Sequence, residues 1–216
     1  MRLGIDMIKV KNVNKSFGTA KILKDITVNF EKGKIHGLVG RNGSGKTMLL
    51  KSICGFVPVD TGEILVNDKI IGKDVDIPTD LGIIIENPGF LPNYSGYMNL
   101  KFLAIIRNRI GKKEIKDAIK MVGLDPDSRK KVGKYSLGMK QRLGIAQAIM
   151  ENPSILIFDE PMNGLDNEGV EEIRNVLLSM KNQGKTIIIA SHNKEDIEIL
   201  CDTVHSMDKG IITKFK

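Results

Sequence analysis

The chain has 216 residues, of which 41% are hydrophobic and 27% are charged, so it is long enough for one folded unit with its own core. The net charge of +7 fits a lysine-rich solvated surface, which we favour, or an anionic partner such as nucleic acid, a phosphate-rich ligand or a membrane face. The two cysteines are far apart in the sequence, which argues against a disulfide-rich protein and favours a reducing cytoplasm. The N-terminus has no secretory signal pattern, which argues against a secreted protein. No apolar run approaches the roughly 18 residues of a membrane span, which argues against a membrane-spanning protein.

The first 80 residues read mostly as strands. Within them, ILVNDKII (residues 64–71) predicts a two-residue hairpin, because Asn and Asp tolerate positive φ. KIHGLVG (residues 34–40) predicts a short buried strand that enters a glycine-rich loop. The following TMLLKSICG has apolar residues at helical spacing and ends at Gly55, a plausible C-terminal cap.

Residues 95–150 change to a helical pattern. MNLKFLAIIRNRI (residues 98–110) and KKEIKDAIKMVG (residues 112–123) predict two amphipathic helices, and a third is expected after Ser136. This block reads as a helical insertion within a larger sheet.

Buried strands return at residues 154–159 and 186–191, separated by a helix over residues 168–184. Alternating strands and helices predict an α/β fold, with a mainly parallel sheet and helices on both faces. We expect a single domain over residues 1–216, in which residues 1–90 and 151–216 form the core and residues 91–150 a helical subdomain.

The strongest motif is GRNGSGKT, directly after a strand and opening a helix. It fits the G-x-x-x-x-G-K-[ST] phosphate loop, in which glycines let backbone N–H groups turn inward and the helix N-terminus adds positive potential. Lys46 supplies a charge for the outer phosphates, and the Thr47 hydroxyl is a ligand for Mg²⁺. The predicted nucleotide-binding residues are Gly40, Arg41, Asn42, Gly43, Ser44, Gly45, Lys46 and Thr47.

Two carboxylates end the strand ILIFDE, Asp159 and Glu160. In phosphoryl transfer, one carboxylate beside Mg²⁺ and a neighbour for the attacking water is a sensible division of roles. Because the buried strand directs both to the sheet edge where the phosphate loop lies, we favour this interpretation over two solvated turn acids.

The order of motifs narrows the class of phosphate-loop protein. YSLGMKQR (residues 135–142) lies between the phosphate loop and ILIFDEP, and NGLD and SH follow. Over nearly its whole length the chain resembles the ATP-binding subunit of an ABC transporter, a P-loop NTPase with an N-terminal antiparallel β part. Ser136 and Gly138 match the family's LSGGQ signature, whereas Leu137 replaces a glycine and Met139 the glutamine.

The resemblance implies roles for individual residues. Ser136 and Gly138 of one copy would bind the γ-phosphate held by a second copy, and Asp166 would belong to the loop that crosses this dimer interface. Glu160 would activate the attacking water, and His192 would contact the γ-phosphate. Phe17, where the family usually has tyrosine, would stack on adenine; a core phenylalanine is the alternative.

Glu86, in LGIIIENPGF, stands where most members of the family have glutamine. The resemblance places this residue at the metal and in the loop that contacts the membrane partner. A glutamate keeps the acceptor oxygens, so Mg²⁺ contact stays possible, but it lacks the amide donor. The substitution is similar to the branch that exports bacitracin-like and lantibiotic peptides; neutral drift in an ordinary exporter is the alternative.

The resemblance therefore implies an ATPase that uses ATP and Mg²⁺ and drives a transporter, an exporter of antimicrobial peptide or drug for self-protection. It would dimerise on binding ATP, dock on a separately encoded transmembrane permease at the inner face of the cell membrane, and bind no nucleic acid. The alternative is a soluble ABC ATPase that acts on ribosomes or nucleic acid. His36 and His205 have no cluster of partners, which argues against a metal site there.

Overall fold

The computed structural model describes residues 6–86 and 88–215. An antiparallel sheet forms the N-terminal part, in the order β2-β1-β4-β5. The predicted hairpin over residues 64–71 is confirmed, with Asn67 (φ 51°) and Asp68 (φ 60°) at the turn. The strands of this sheet are β1 (Asp6–Phe17), β2 (Ala20–Glu31), β4 (Thr61–Val66) and β5 (Lys69–Ile70).

A six-stranded sheet forms the centre of the molecule, in the order β10-β9-β3-β8-β7-β6. All neighbouring pairs are parallel except β9 and β10, which form an antiparallel hairpin. The predicted α/β class with a mainly parallel sheet is confirmed. The strands are β3 (Ile35–Val39), β6 (Leu81–Ile84), β7 (Ile155–Asp159), β8 (Thr186–Ser191), β9 (Thr203–Asp208) and β10 (Ile211–Lys214).

Helices cover the parallel sheet unequally. One face carries α1 together with the antiparallel sheet, and the other carries the remaining helices. The predicted helices on both faces are present, and the antiparallel sheet shares one of these faces with α1. Within the described residues, no helix is both long and apolar enough to cross a membrane. The helices are α1 (Lys46–Ile53), α2 (Gly96–Arg107), α3 (Lys112–Met121), α4 (Leu137–Ile149), α5 (Asn167–Asn182) and α6 (Lys194–Leu200).

The predicted helical insertion lies between β6 and β7. Its third helix, α4, packs directly on β6, where a side chain at Gly82 would collide with the carbonyl of Ala148. The first helix of the insertion, α2, ends at Arg107, three residues before the predicted end. Its C-cap is Asn108, which has left-handed backbone (φ 48°). A boundary between two subdomains near residues 90 and 150 stays a prediction.

Two buried histidines of the parallel sheet contact β2 of the antiparallel sheet. His36 lies 2.7 Å from Thr203 Oγ1 and 2.9 Å from the carbonyl of Glu31. His205 packs edge-on against Phe30, and its buried Nδ1 has no hydrogen-bond partner in the described residues. These contacts give both histidines a structural explanation.

Stability should fall in mild acid, because burial lowers the pKa of His205 to about 4. Its unfolded pKa is about 6.5, so only the unfolded chain takes up this proton between the two values, and stability is lost as the pH falls through that window. We expect unfolding free energy about 2 kcal/mol lower at pH 5 than at pH 7.5 by urea titration. His205→Leu should reduce this difference; an unchanged profile would contradict the assignment.

Candidate functional site

The phosphate loop joins β3 to α1 and depends on glycine conformation. Gly43 (φ 78°) and Gly45 (φ 108°) adopt left-handed backbone that other residues rarely tolerate. A side chain at Gly40 would collide with the carbonyl of Met207. Gly45 precedes α1 without a side-chain cap, so the first N–H groups of the helix remain available to an anion.

Lys46 and Ser44 show that this loop fits a phosphate. The Lys46 ammonium folds over the loop and donates to the carbonyls of Gly40 (2.6 Å) and Arg41 (3.4 Å). The Ser44 hydroxyl is buried and has no hydrogen-bond partner among the described residues. A buried hydroxyl costs stability unless it is paired, and phosphate oxygens are suitable acceptors for it.

The proposed metal ligands Thr47 and Asp159 meet across the loop. Thr47 Oγ1 donates to Asp159 Oδ2 at 2.6 Å. Burial raises the pKa of Asp159, and the hydrogen bond from Thr47 opposes that rise. A hydroxyl and a carboxylate are the hard oxygen donors that Mg²⁺ prefers, so this pair fits the ion.

Glu160 and His192 form the second part of the site. Glu160 Oε2 lies 2.9 Å from His192 Nδ1. Glu160 has left-handed backbone (φ 52°) and is held by its N–H, which donates to the carbonyl of Ala190 at 2.8 Å. Strained backbone of this kind persists where the surroundings fix it, often at functional sites.

A cleft of about 440 Å³ opens over the phosphate loop, lined by Ile22, residues 41–48, Asp159 and Glu160. The structure thus brings the phosphate loop and both carboxylates to one cleft. His192 lines an adjoining cavity with Gly40 and Arg41.

The signature residues lie outside this cleft. Ser136 caps α4 by accepting a hydrogen bond from the N–H of Met139 (3.2 Å), as expected. Leu137, which replaces the family's glycine, is 61% exposed. A side chain at Gly138 would lie 2.8 Å from the carbonyl of Gly164, so Gly138 permits close packing of the signature on the NGLD loop.

Asp166 and Phe17 also lie outside the cleft. Asp166 caps α5, and its carboxylate accepts from the N–H of Gly169 at 2.9 Å. Phe17 is 53% exposed at the end of β1, with the Lys15 ammonium 5.2 Å from its ring centre. The alternative of a core phenylalanine is wrong; an exposed ring is available for stacking.

Sequence analysis missed Gln141. Its side-chain amide donates to the carbonyls of Glu160 (3.3 Å) and Pro161 (3.0 Å). It therefore links the signature helix to the turn that carries Glu160. The feature of the sequence that could have identified Gln141 is its position in the signature, five residues after Ser136.

Glu86 contacts a partner that the sequence did not reveal. Its Oε1 lies 2.6 Å from the Lys51 ammonium, in the last turn of α1. The residue follows β6 by two positions and has left-handed backbone (φ 63°). Burial is the main reason that the pKa of Asp159 is raised, and the negative charge of Glu86 raises it further. The ion pair connects the Glu86 loop to the helix that starts with Lys46.

Glu86→Gln should leave ATP affinity within about twofold, because glutamine keeps a side-chain oxygen that can contact the ion and Glu86 does not line the phosphate cleft. The steady-state rate of hydrolysis should change, because the loop loses its charge contact with α1. Lys51→Gln, which breaks the same pair from the other side, is the matched variant. Nucleotide titration with phosphate-release assays tests both; loss of nucleotide binding in Glu86→Gln would contradict this placement.

Comparison with known proteins decides the family. Residues 23–163, more than half of the chain, match the family described as ABC transporter. The chain belongs to the ABC transporter family. It is an ATP-binding subunit of this family and an ATPase.

The similarity between this ABC subunit and its relatives covers almost all of its length. It is 47% identical over 204 residues to an ABC transporter ATP-binding protein of Bacillus subtilis that is named as uncharacterized, covering 94% of each chain. It is 41% identical over 206 residues to the bacitracin transport ATP-binding protein of Enterococcus faecalis, covering 94% of this chain and 67% of the relative.

A solved structure supports the same assignment. The cbiO1 protein of Clostridium perfringens, part of the ABC transporter complex cbiONQ, superposes with a TM-score of 0.82 at 29% identity. The match covers 96% of this ABC subunit and 87% of cbiO1. The predicted fold as an ABC ATPase is therefore confirmed.

Proposed function

We propose that this ABC subunit is the ATP-hydrolysing motor of an exporter that removes an antimicrobial peptide or drug for self-protection. The observation that carries the proposal is the 41% identity to a bacitracin transport protein over nearly the whole chain. Glu86, in the position where most of the family has glutamine, agrees with this branch. The proposal that the cargo is a peptide depends on the more general assignment of the chain as an ATP-binding motor.

The residues of the cleft define the proposed chemistry. Gly40–Thr47 bind the triphosphate, with Lys46 and Ser44 donating to its oxygens and α1 adding its N-terminal dipole. Thr47 and Asp159 would hold Mg²⁺, with Glu86 as a further oxygen donor; the ion supplies positive charge that screens the phosphates. Glu160 accepts the proton of the attacking water, and His192 orients Glu160 and donates to the γ-phosphate.

We propose that ATP joins two copies of the chain head to tail. Ser136, Gly138 and Asp166 do not line the cleft formed by the phosphate loop of their own chain. A second copy would bring these residues to the γ-phosphate, so hydrolysis would need both chains. Phe17, exposed at the end of β1, stacks on adenine in this arrangement.

An apolar cleft along β6, called the docking cleft below, is our proposed contact site for a separately encoded transmembrane permease. Two hollows of about 220 and 360 Å³ adjoin along β6 and share Leu81, Ile83 and Arg107. Ile106 lines the smaller hollow and is 78% exposed. Apolar exposure of this kind is typical of protein contacts, and β6 leads from the cleft towards Glu86. The other apolar lining residues of this docking cleft include Phe56, Ile77, Pro78 and Leu103.

A permease bound there would hold the subunit at the inner face of the cell membrane, on the cytoplasmic side. The Glu86 loop would then report nucleotide state to the permease, because it contacts α1 through Lys51. The alternative, a soluble ATPase on ribosomes or nucleic acid, predicts a different set of partners.

Purification of the tagged chain from its native membranes in mild detergent tests this proposal. We expect a polytopic membrane protein in near-equal amount, identified by mass spectrometry. Ile106→Glu should reduce that recovery about 10-fold or more, because it places a charge in an apolar contact. Ile199→Glu, an exposed isoleucine on α6, is the control. Recovery of ribosomal proteins or nucleic acid instead would support the alternative.

A further inference from the structure

The positive charge of the chain is concentrated in one segment. Residues 91–150 hold 13 of the 33 Lys and Arg residues but only 4 of the 26 Asp and Glu residues. Their formal charge is therefore +9, and the rest of the chain sums to −2. The sequence interpretation of a lysine-rich surface without a specific partner does not account for this division.

One face of α3 presents much of this charge. Ile115, Ala118 and Ile119 are buried. The rest of the helix surface carries the lysine face, which we define as Lys112, Lys113, Lys116 and Lys120, together with the exposed acids Glu114 and Asp117. All of these lysines are exposed except Lys116, which is partly buried.

The lysines of this face lie close to one another. Lys116 pairs with Asp127. That contact lowers the pKa of Asp127, and Lys112 and Lys120 act in the same direction. The four lysines of the face outnumber the three carboxylates beside them, Glu114 and Asp117 on the same helix and Asp127, which leaves a net positive surface. The exposed residues 129–131 (Arg-Lys-Lys) extend it.

The lysine face follows the docking cleft directly in the chain. Arg107 lines both hollows of the cleft at the end of α2, and Lys112 begins α3 five residues later. Helices α2 and α3 also pack against each other, so a membrane protein bound in the cleft would contact the same helical insertion that carries this face. Cationic side chains are attracted to anionic lipid within about a Debye length, about 8 Å at physiological salt.

We propose that the lysine face binds the anionic phospholipid headgroups of the membrane on which the subunit docks. Lipid is favoured over nucleic acid because α3 carries no aromatic side chain on which bases could stack. The proposal rests on the proposed function for the orientation of the chain, but its lipid chemistry is testable without a permease.

Co-sedimentation of the purified full chain with vesicles tests the proposal. The chain should bind vesicles of phosphatidylglycerol and phosphatidylcholine but not of phosphatidylcholine alone, and less as salt is raised. The triple variant Lys112→Gln, Lys113→Gln, Lys120→Gln should weaken partitioning about 100-fold. The charge-matched control is Lys32→Gln, Lys69→Gln, Lys73→Gln, exposed lysines outside the insertion, and it should bind nearly as the wild type does.

Three results would overturn the proposal: no dependence on phosphatidylglycerol, equal loss in both triple variants, or tighter binding to duplex DNA than to vesicles at the same salt. ATP hydrolysis by the isolated chain should be unchanged in the lysine variant, since none of its residues lines the phosphate cleft. Failure of lipid binding with intact co-purification of a permease would reject the lysine face alone, and would leave the motor function in place.

Discussion

Glu160→Gln should bind ATP with wild-type affinity and hydrolyse it about 10²–10⁴-fold more slowly. The amide has nearly the shape of the carboxylate and can still contact His192, but it cannot accept the proton of the attacking water. The ATP that is not hydrolysed should then hold two copies of the chain together as a dimer. Phosphate release measures the first effect, and size-exclusion chromatography with and without Mg-ATP measures the second.

The control for this variant is Glu63→Gln, the same change on β4, where the carboxylate pairs with Lys11 at the surface. It should hydrolyse ATP at the wild-type rate. Unaltered turnover in Glu160→Gln would show that another group activates the water. Loss of ATP binding would instead show that Glu160 holds the nucleotide in place.

Lys46→Ala should weaken ATP binding by roughly 10- to 100-fold, the range for loss of hydrogen bonds to a charged ligand. Its ammonium is the buried cation that lies over the loop, 2.6 Å from the carbonyl of Gly40. Isothermal titration with a non-hydrolysable ATP analogue measures the affinity.

Lys32→Ala, which removes an exposed lysine, is the control and should bind normally. Lys46→Met keeps more of the apolar volume and should bind as weakly as Lys46→Ala if the charge is the cause. Full affinity in either Lys46 variant would remove this residue from phosphate recognition. A circular dichroism spectrum of each variant separates loss of binding from loss of fold.

Local sequence patterns predicted the parts of the fold that they determine. The hairpin at Asn67 and Asp68 followed from turn chemistry, and the phosphate loop followed from its glycines and the flanking strand. The C-terminal α6, β9 and β10 were not predicted, because their apolar runs are short and β9 is fixed mainly by pairing with β3. The end of α2 depended on Asn108 adopting left-handed backbone.

Contacts between distant parts of the chain could not be predicted. The pairing of Glu86 with Lys51 joins residues 35 positions apart and forms only when the loop after β6 reaches the last turn of α1. The amide of Gln141 reaches the Glu160 turn only after α4 packs on β6, the strand that pairs with β7. Residue identity suggested which groups do chemistry, whereas tertiary packing decides which residues hold those groups in place.

Trans-complementation tests most directly the central claim that two copies share each ATP site. At an ATP concentration that saturates wild-type sites but leaves Lys46→Ala sites largely empty, Lys46→Ala should be nearly inactive. Ser136→Arg should also be inactive, because it cannot complete a partner's site. Mixed in equal amounts, they should recover about one quarter of wild-type hydrolysis, because half of the randomly formed two-fold dimers contain one intact site. A mixture no more active than its components would contradict the shared site.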